Sequence, residues 1–191
     1  MLRFFDIIFS FAGLVLLSPF FLLIALWIKL DSKGPVFYIQ KRVGKGNKDF
    51  GVIKFRSMRL SSDLLGLLTV GSGDPRITKS GSFIRKYKLD ELPQLINVLK
   101  GDMSLVGPRP EVRKYVNYYS PAQLEVLSVR PGITDEASIV YRQENEILGK
   151  SPDPEKTYIE EIMPHKIKLN RKFIEDPSVA KYFSIIFQTI F

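Results

Sequence analysis

Two carboxylates, Asp90 and Glu91, stand side by side in the stretch KLDELPQL, just after three cations and just before an apolar helical pattern. An Asp at a helix start commonly caps it, because its side chain accepts hydrogen bonds from free N–H groups. The same surroundings favour chemistry, since cations and a helix N-terminus keep a carboxylate ionised and attract phosphate. An ionised Asp90 could attack phosphorus or hold Mg²⁺ beside substrate phosphates. On these eight residues alone, both interpretations stay open.

The composition narrows the chemistry that is available. The 191 residues contain no cysteine and a single histidine, His165, which we expect to be an ordinary helix residue. Thiolate catalysis and cysteine or multi-histidine metal sites are therefore excluded, and acid–base work falls to carboxylates, lysines or tyrosines. The net charge is +8, and residues 1–60 carry ten Lys and Arg against three Asp and Glu. This excess suits anionic headgroups or phosphorylated substrates, with nucleic acid as a third alternative.

Two arginines lie on stiff backbone. Arg109 stands between two prolines in VGPRP, and proline restricts both itself and the residue before it. A guanidinium on such a backbone loses little entropy when it binds a planar oxyanion bidentately. Arg130 precedes a Pro-Gly turn, where the same argument is weaker. Taken singly, each is more typical of a surface or structural arginine, so neither identifies a reaction.

The N-terminal segment, residues 4–28, is apolar except for Asp6. As a straight helix it would reach roughly 37 Å, enough to cross a hydrocarbon core of about 30 Å. Ser18 and Pro19 in its middle predict a bend, with the Ser18 hydroxyl bonded to the carbonyl that the proline frees. A cleavable signal peptide is disfavoured by the length of the run. Because both flanks are positive, a kinked crossing and a re-entrant hairpin fit about equally well.

The remaining patterns predict an α+β fold that is mostly helical. Two short strands surround a polar turn within residues 35–58, with Lys54 on the second strand. A Gly- and Ser-rich loop covers 61–83, and a short helical piece within it stays open. A helix with Leu92, Leu95, Ile96 and Leu99 on one face would start at Asp90 and end at Gly101. Further helices are predicted over 110–129 and near 154–175, interrupted at Pro121 and Pro164, with a turn at 130–134 between them. A C-terminal apolar stripe of Phe183, Ile186, Phe187 and Ile190 would pack on the core or lie in a membrane interface.

The block DPRITKSGSFIRKYKLDELPQLINVLKGDMSLVGPRP, residues 74–110, resembles the signature of the bacterial sugar transferases, the small monotopic phosphoglycosyl transferases. KFRSM upstream and RPGIT downstream follow in the order of that family. The apolar segment with Ser18 and Pro19 resembles the family's re-entrant helix-break-helix, and the chain resembles the minimal members that lack a multi-span N-terminal region. The resemblance implies a re-entrant membrane helix over 1–30 and a cytosolic catalytic domain over 31–191, with a short β-hairpin and interfacial amphipathic helices.

The resemblance also implies a reaction and its residues. Such enzymes move a phospho-sugar from a UDP-sugar to polyprenol phosphate and release UMP, as the first membrane step of a bacterial surface glycan pathway. They work at the cytoplasmic face of the inner membrane, against an anionic leaflet and without nucleic acid. Asp90 would be the nucleophile, forming a covalent phospho-sugar intermediate, and would also contact Mg²⁺. Glu91 would accept a proton or orient other groups. The family's phosphate-binding positions correspond to Lys54, Arg85, Arg109 and Arg130.

Three matters stay open from the sequence. Asp135 and Glu136 stand where many members of the resembled family have neutral residues, so the donor sugar stays open. The oligomeric state also stays open, and a homodimer is one alternative. A non-catalytic, membrane-anchored basic module would explain the charge and the apolar segment, but not an acidic pair among cations. A metal-dependent phosphohydrolase would use the same groups and release free sugar phosphate without a lipid acceptor.

Overall fold

The computed structural model describes residues 2–60, 62 and 74–190. Helices dominate this part of the chain, and its strands form a two-stranded antiparallel sheet and a two-stranded parallel sheet. The strands are β1 (Phe37–Val43), β2 (Asp49–Phe55), β3 (Ser104–Val106) and β4 (Gly132–Thr134). The helices are α1 (Leu2–Asp31), α2 (Lys79–Lys86), α3 (Gln94–Lys100), α4 (Arg113–Val116), α5 (Glu136–Val140), α6 (Glu144–Lys150), α7 (Pro154–Thr157), α8 (Met163–Glu175) and α9 (Val179–Ile190).

Helix α1 runs without interruption through Ser18 and Pro19. Helical structure is therefore not interrupted at these two residues, and the predicted bend stays a prediction. Pro19 removes one backbone donor, the one that would bond the Val15 carbonyl, and the Ser18 hydroxyl donates to that carbonyl at 2.8 Å. This bond confirms the predicted role of Ser18, and it explains why the helix tolerates the proline. The re-entrant path through a membrane stays a prediction.

Both ends of α1 contact the rest of the protein. Near its start, the Arg3 guanidinium donates to the Leu99 carbonyl at 3.3 Å and to the Met103 carbonyl at 3.4 Å. At its end, the Asp31 carboxylate accepts hydrogen bonds from the Ser80 N–H at 2.9 Å and the Ser80 hydroxyl at 2.8 Å. The helix thus lies along the protein instead of leading away from it.

The opposite face of α1 is apolar and exposed. Leu16 is 78% exposed and Phe11 is 62% exposed, whereas Ile24 and Ile28 on the inner face are buried. By length and composition, this helix could cross a membrane. An exposed apolar area of this size on a helix beside a polar domain indicates contact with lipid or with another apolar surface.

The predicted β-hairpin is confirmed. β1 and β2 pair in antiparallel register from Phe37 opposite Phe55 to Val43 opposite Asp49. Gly46 and Asn47 in the connecting turn have positive φ angles of 68° and 61°, which Gly and Asn tolerate. Because Tyr38 lies opposite Lys54, alternate residues of β1 share the face that carries Lys54.

The chain reverses direction between α2 and α3. Lys88 adopts a left-handed conformation with φ 57°, and a 3₁₀ turn over Leu89–Glu91 follows. Helix α3 begins only at Gln94, so the prediction that Asp90 caps this helix is wrong; the 3₁₀ turn separates the two. The predicted C-terminal cap is confirmed, because Gly101 has φ 91° and its N–H bonds to carbonyls of the last turn.

Several other predicted boundaries need correction. The helix expected over 110–129 is only α4 plus a 3₁₀ segment at Gln123–Ser128, and the turn at 130–134 contains β4, which pairs with β3. Helix α2 begins at Lys79 inside the predicted loop, whose residues 61 and 63–73 lie outside the described part of the chain. The helical region near 154–175 is confirmed as α7, a π-helical turn at Tyr158–Ile162, and α8.

Helix α9 docks on the start of α1. The Phe183 ring packs edge-on against Phe5 at 5.2 Å and Phe9 at 5.9 Å between centroids. Beneath them, the buried Asp6 carboxylate accepts a hydrogen bond from the Tyr182 hydroxyl at 2.8 Å. Phe183 and Ile186 of the C-terminal stripe therefore pack on protein, whereas Phe187 and Ile190 are 63% and 69% exposed. Contact of the stripe with a membrane interface stays a prediction.

Candidate active site

The acidic pair lies on the wall of a cavity of about 410 Å³. The hairpin forms one side of this cavity, and residues from α4 to α8 form a second. The third side consists of residues 56–60 together with Ser62, Arg76, Arg85 and Lys88. Asp90 and Glu91 both line it, as do Lys54, Arg85 and Arg109. The structure therefore brings together five of the residues that the sequence and the resemblance singled out.

Glu91 is held by two cations. Lys54 Nζ lies 3.0 Å from Glu91 Oε1, and one terminal nitrogen of Arg109 lies 3.0 Å from Oε2 while the other bonds to Oε1. Burial opposes the ionisation of Glu91, but Arg109 and Lys54 outweigh it and hold the pKa of Glu91 well below its usual range. The pair in turn raises the pKa of Arg109. Glu91 is thus a fixed anion that orients two cations, and it is poorly suited to accept a proton.

Asp90 has a different environment one residue away. It is 7% exposed, and no residue in the described part of the chain donates a hydrogen bond to its carboxylate. Burial, and then the charge of Glu91, raise the pKa of Asp90, against the opposing effects of Lys54, Arg85 and Arg109. The expectation that neighbouring cations hold this carboxylate firmly ionised is wrong in direction, because burial and the charge of Glu91 outweigh the three cations. A buried carboxylate without donors is a stronger nucleophile than a solvated one.

Arg109 is positioned from its backbone. Its N–H donates to Asp135 Oδ2 at 3.0 Å, and Asp135 also accepts from the Ser138 N–H at 2.6 Å and from Asn170 Nδ2 at 2.7 Å. Asp135 is buried and caps α5, so it anchors the arginine loop and does not line the cavity. Upstream, a Cβ on Gly107 would come within 2.6 Å of the Arg130 carbonyl, which explains the glycine before this loop.

The other predicted residues are placed as follows. Arg85 is half-buried on α2 and lines the cavity. Arg130 does not line it; its Nε donates to the Gly101 carbonyl at 2.8 Å, at the C-terminal end of α3. The structure thus does not bring Arg130 to the acidic pair. His165 lies in α8 and bonds to the Tyr141 hydroxyl through Nδ1 at 2.7 Å.

A second polar network in the cavity is not apparent from the sequence motifs. Arg42 lies 3.3 Å from Glu111 Oε1, and the Tyr158 hydroxyl donates to Glu111 Oε2. All three line the cavity. The alternation of β1 could have indicated Arg42, because it shares the face of the hairpin that carries Lys54. Tyr158 comes from more than forty residues downstream of Glu111, and no local pattern predicts that contact.

The residues present suit a cation that arrives with a substrate. The described residues contain no group of three or more His, Cys, Asp or Glu side chains that could hold a metal on their own. Glu91 is already committed to Lys54 and Arg109, which leaves the carboxylate of Asp90. Mg²⁺ is commonly bound by one or two carboxylates together with substrate phosphates, and Asp90 fits that pattern.

The arrangement combines a buried carboxylate, an anchored anion and several cations, which suits chemistry at phosphorus. A family model described as bacterial sugar transferase matches residues 1–191. The chain belongs to the bacterial sugar transferase family. This confirms the resemblance carried by residues 74–110 and by the flanking motifs.

Two similar proteins support the same assignment to the bacterial sugar transferase family. The chain is 42% identical over 188 residues to an Aeromonas hydrophila protein named UDP-N-acetylgalactosamine-undecaprenyl-phosphate N-acetylgalactosaminephosphotransferase; the match covers 97% of this chain and 41% of that protein. It is 37% identical over 190 residues to the Escherichia coli K12 protein named UDP-glucose:undecaprenyl-phosphate glucose-1-phosphate transferase, covering 97% and 38%. The chain therefore spans about two fifths of the length of these relatives.

Proposed function

We propose that this protein transfers a phospho-sugar from a UDP-sugar to polyprenol phosphate and releases UMP. One observation carries the proposal: the buried Asp90 carboxylate lines the cavity without a hydrogen-bond donor from the described residues, beside three cations. The relatives are named for reactions between UDP-sugars and undecaprenyl phosphate. A carboxylate poised among cations is the group that such a reaction requires at the phosphorus atom.

The proposed reaction has two displacement steps. First, an Asp90 carboxylate oxygen attacks the sugar-bearing phosphorus, the bond from that phosphorus to the bridging oxygen breaks, and UMP leaves with the electron pair. An oxygen of polyprenol phosphate then attacks the same phosphorus, and the bond to Asp90 breaks. The products are polyprenyl-diphosphate-sugar and a regenerated Asp90 carboxylate. No external proton donor is needed, because both leaving groups depart as stable anions.

The other residues of the site stabilise charge. Arg85 and Arg109 face the developing negative charge on the phosphate oxygens, and Lys54 lies on the same wall. Glu91 keeps Lys54 and Arg109 in place, which we propose as its function in place of proton transfer. Mg²⁺, contacted by Asp90 and the substrate phosphates, would supply further neutralisation of the diphosphate.

We further propose that α1 inserts into the bacterial inner membrane from the cytoplasmic face and returns to that face. Supporting this, Arg3 near one end and Asp31 at the other both bond to the same folded unit. A perpendicular crossing would separate these ends by about 30 Å of hydrocarbon. Single cysteines placed at the two ends of α1 in this cysteine-free chain should be labelled from the same side; labelling from opposite sides would contradict this topology.

The reaction is tested by measuring UMP release from a panel of UDP-sugars with polyprenol phosphate and Mg²⁺. We expect release from at least one donor, and loss of release in Asp90→Asn and Asp90→Ala. Full turnover in both variants would contradict the nucleophile. Release of free sugar phosphate without a lipid acceptor would instead support a phosphohydrolase, and salt-sensitive lipid binding without turnover would support a basic binding module.

A further inference from the structure

Three aromatic side chains form a continuous exposed strip between α1 and α2. The Trp27 ring of α1 lies 5.3 Å from the Phe83 ring of α2, and Phe83 lies 4.7 Å from Tyr87, measured between centroids. Their exposed fractions are 40%, 44% and 55%. We name this set, Trp27, Phe83 and Tyr87, the aromatic strip. Large exposed aromatic residues in contact with one another mark a binding surface more often than chance exposure does.

The aromatic strip begins at the exposed apolar face of α1 and ends among cations. Trp27 belongs to the exposed apolar face of α1, together with Leu23, Leu26 and Leu30. At the other end, Tyr87 stands between Lys86, whose Nζ lies 5.6 Å from the Tyr87 ring centre, and Lys88, which lines the cavity. Arg85, on the same helix, also lines the cavity and acts electrostatically on Asp90. The strip therefore leads from the exposed apolar face of α1 to the cationic wall of the site.

The strip is held rigidly in place. The Asp31 carboxylate bonds to Ser80 at the start of α2, and Ile28 packs against Ile84 in a buried cluster. These contacts fix α2 against the end of α1, so the spacing between Trp27 and Phe83 does not depend on the two exposed rings alone. A preformed surface loses less entropy when it binds a flexible chain.

Resting on the proposed function, we infer that the aromatic strip binds the isoprenoid chain of the polyprenol phosphate acceptor and guides its phosphate to the cavity. The ligand must be apolar along its length and anionic at one end, which matches an aromatic strip that ends among cations. Isoprene units present flat double bonds and methyl groups that pack well on aromatic faces. Bulk phospholipid tails and a second copy of this chain are the competing occupants.

The kinetic test compares the double variant Phe83→Ala/Tyr87→Ala with the control Phe11→Ala. Phe11 is an exposed aromatic residue on the apolar face of α1, about 24 Å along the helix from Trp27. We expect the double variant to raise KM for long-chain polyprenol phosphate at least about tenfold. A phosphate acceptor with a single prenyl unit, and the burst of UMP released without any acceptor, should be unaffected. The control should match wild type throughout.

Three results would overturn the inference: an equal change with both acceptors, an unchanged KM, or the same defect in Phe11→Ala. A diazirine-bearing polyprenyl phosphate provides a readout that does not need turnover. It should label residues 79–88 in wild type, and this labelling should be competed by unlabelled polyprenol phosphate but not by phosphatidylglycerol. Competition by phosphatidylglycerol would assign the strip to bulk lipid. Absence of UMP release in wild type would refute the proposed reaction, and the labelling would still decide what the strip binds.

Discussion

Two buried aspartates in this protein have opposite surroundings. Asp6, at the start of α1, is 2% exposed and its carboxylate accepts hydrogen bonds from the Ser104 hydroxyl, the Leu105 N–H and the Tyr182 hydroxyl. Asp90, at the cavity, is 7% exposed and receives no hydrogen bond from the described residues. The first carboxylate is satisfied and joins three elements, whereas the second is left with unused acceptor capacity that faces a cavity.

The difference separates a structural carboxylate from one available for chemistry. Burying a carboxylate without donors costs free energy, so a protein retains such a group where it has another use. Asp6 stabilises the fold because its charge is fully solvated by protein donors. Asp90 should weaken the fold and support turnover. Substitution of Asp90 should therefore lower turnover without lowering stability, whereas substitution of Asp6 should lower stability without lowering turnover.

The largest effect is expected on turnover in Asp90→Asn. Loss of the nucleophile should lower the rate of UMP release by at least about a thousandfold, because the amide cannot form the phosphoryl ester. The measurement is steady-state UMP release at saturating donor and acceptor. Circular dichroism should show an unchanged fold. A rate of UMP release within tenfold of wild type would contradict the assignment of Asp90, in contrast to Asp6, as the carboxylate that takes part in the reaction.

Glu91→Gln should damage both turnover and stability. The substitution leaves Lys54 and Arg109 partly buried without their counter-charge, and we expect the free energy of unfolding to fall by about 3 kcal/mol. UMP release should fall roughly a hundredfold, because both cations lose their orientation. Chemical denaturation and the turnover assay measure the two effects. A stable, inactive Glu91→Gln would instead indicate direct participation in proton transfer.

Asp6→Ala should affect stability alone. It leaves three donors without an acceptor, so the free energy of unfolding should fall by about 3 kcal/mol. Turnover per folded molecule should stay within about threefold of wild type, since Asp6 lies outside the cavity. Thermal unfolding in detergent, paired with UMP release below the transition, gives both values. A selective loss of turnover in a fully stable variant would contradict the structural assignment of Asp6.

The smallest effect is a gain in stability in Asp90→Asn. Because the pKa of Asp90 is raised in the folded protein, the folded state binds this proton more tightly than the unfolded state does. Wild-type stability is therefore lost as pH rises from the ordinary aspartate pKa of about 3.9 through the raised folded value. At neutral pH the variant should be more stable by about 1 kcal/mol, and the difference should vanish below the ordinary pKa. A less stable variant at neutral pH would contradict the unsatisfied state of Asp90.

Sequence patterns correctly predicted the elements that are determined by interactions between residues close together in the chain. The hairpin follows from its alternating residues and polar turn, and the end of α3 follows from Gly101. The bond from Ser18 to Val15 was predictable because proline frees one known carbonyl. The continuity of α1 was not, since tolerance of Pro19 depends on how completely the adjacent serine compensates for the lost donor.

Five of the six predicted active-site residues lie at the cavity, but the electrostatic environment of the two carboxylates was not predictable. Asp90, Glu91, Lys54, Arg85 and Arg109 do meet at one cavity, as their motifs indicated. Which carboxylate takes the cations is decided by tertiary contacts: Lys54 reaches Glu91 across 37 positions and Arg109 across 18. The same reason hides the contact of Glu111 with Tyr158 and the placement of Arg130 at the end of α3.

The most direct test of the account is intact mass spectrometry of the protein incubated with a UDP-sugar and Mg²⁺ in the absence of lipid acceptor. We expect a covalent adduct with the mass of one sugar phosphate, located at Asp90 by peptide mapping and discharged when polyprenol phosphate is added. Asp90→Asn should show no adduct. Rapidly quenched wild-type protein that releases UMP with no adduct, or with an adduct on a different residue, would contradict the central claim that Asp90 is the nucleophile.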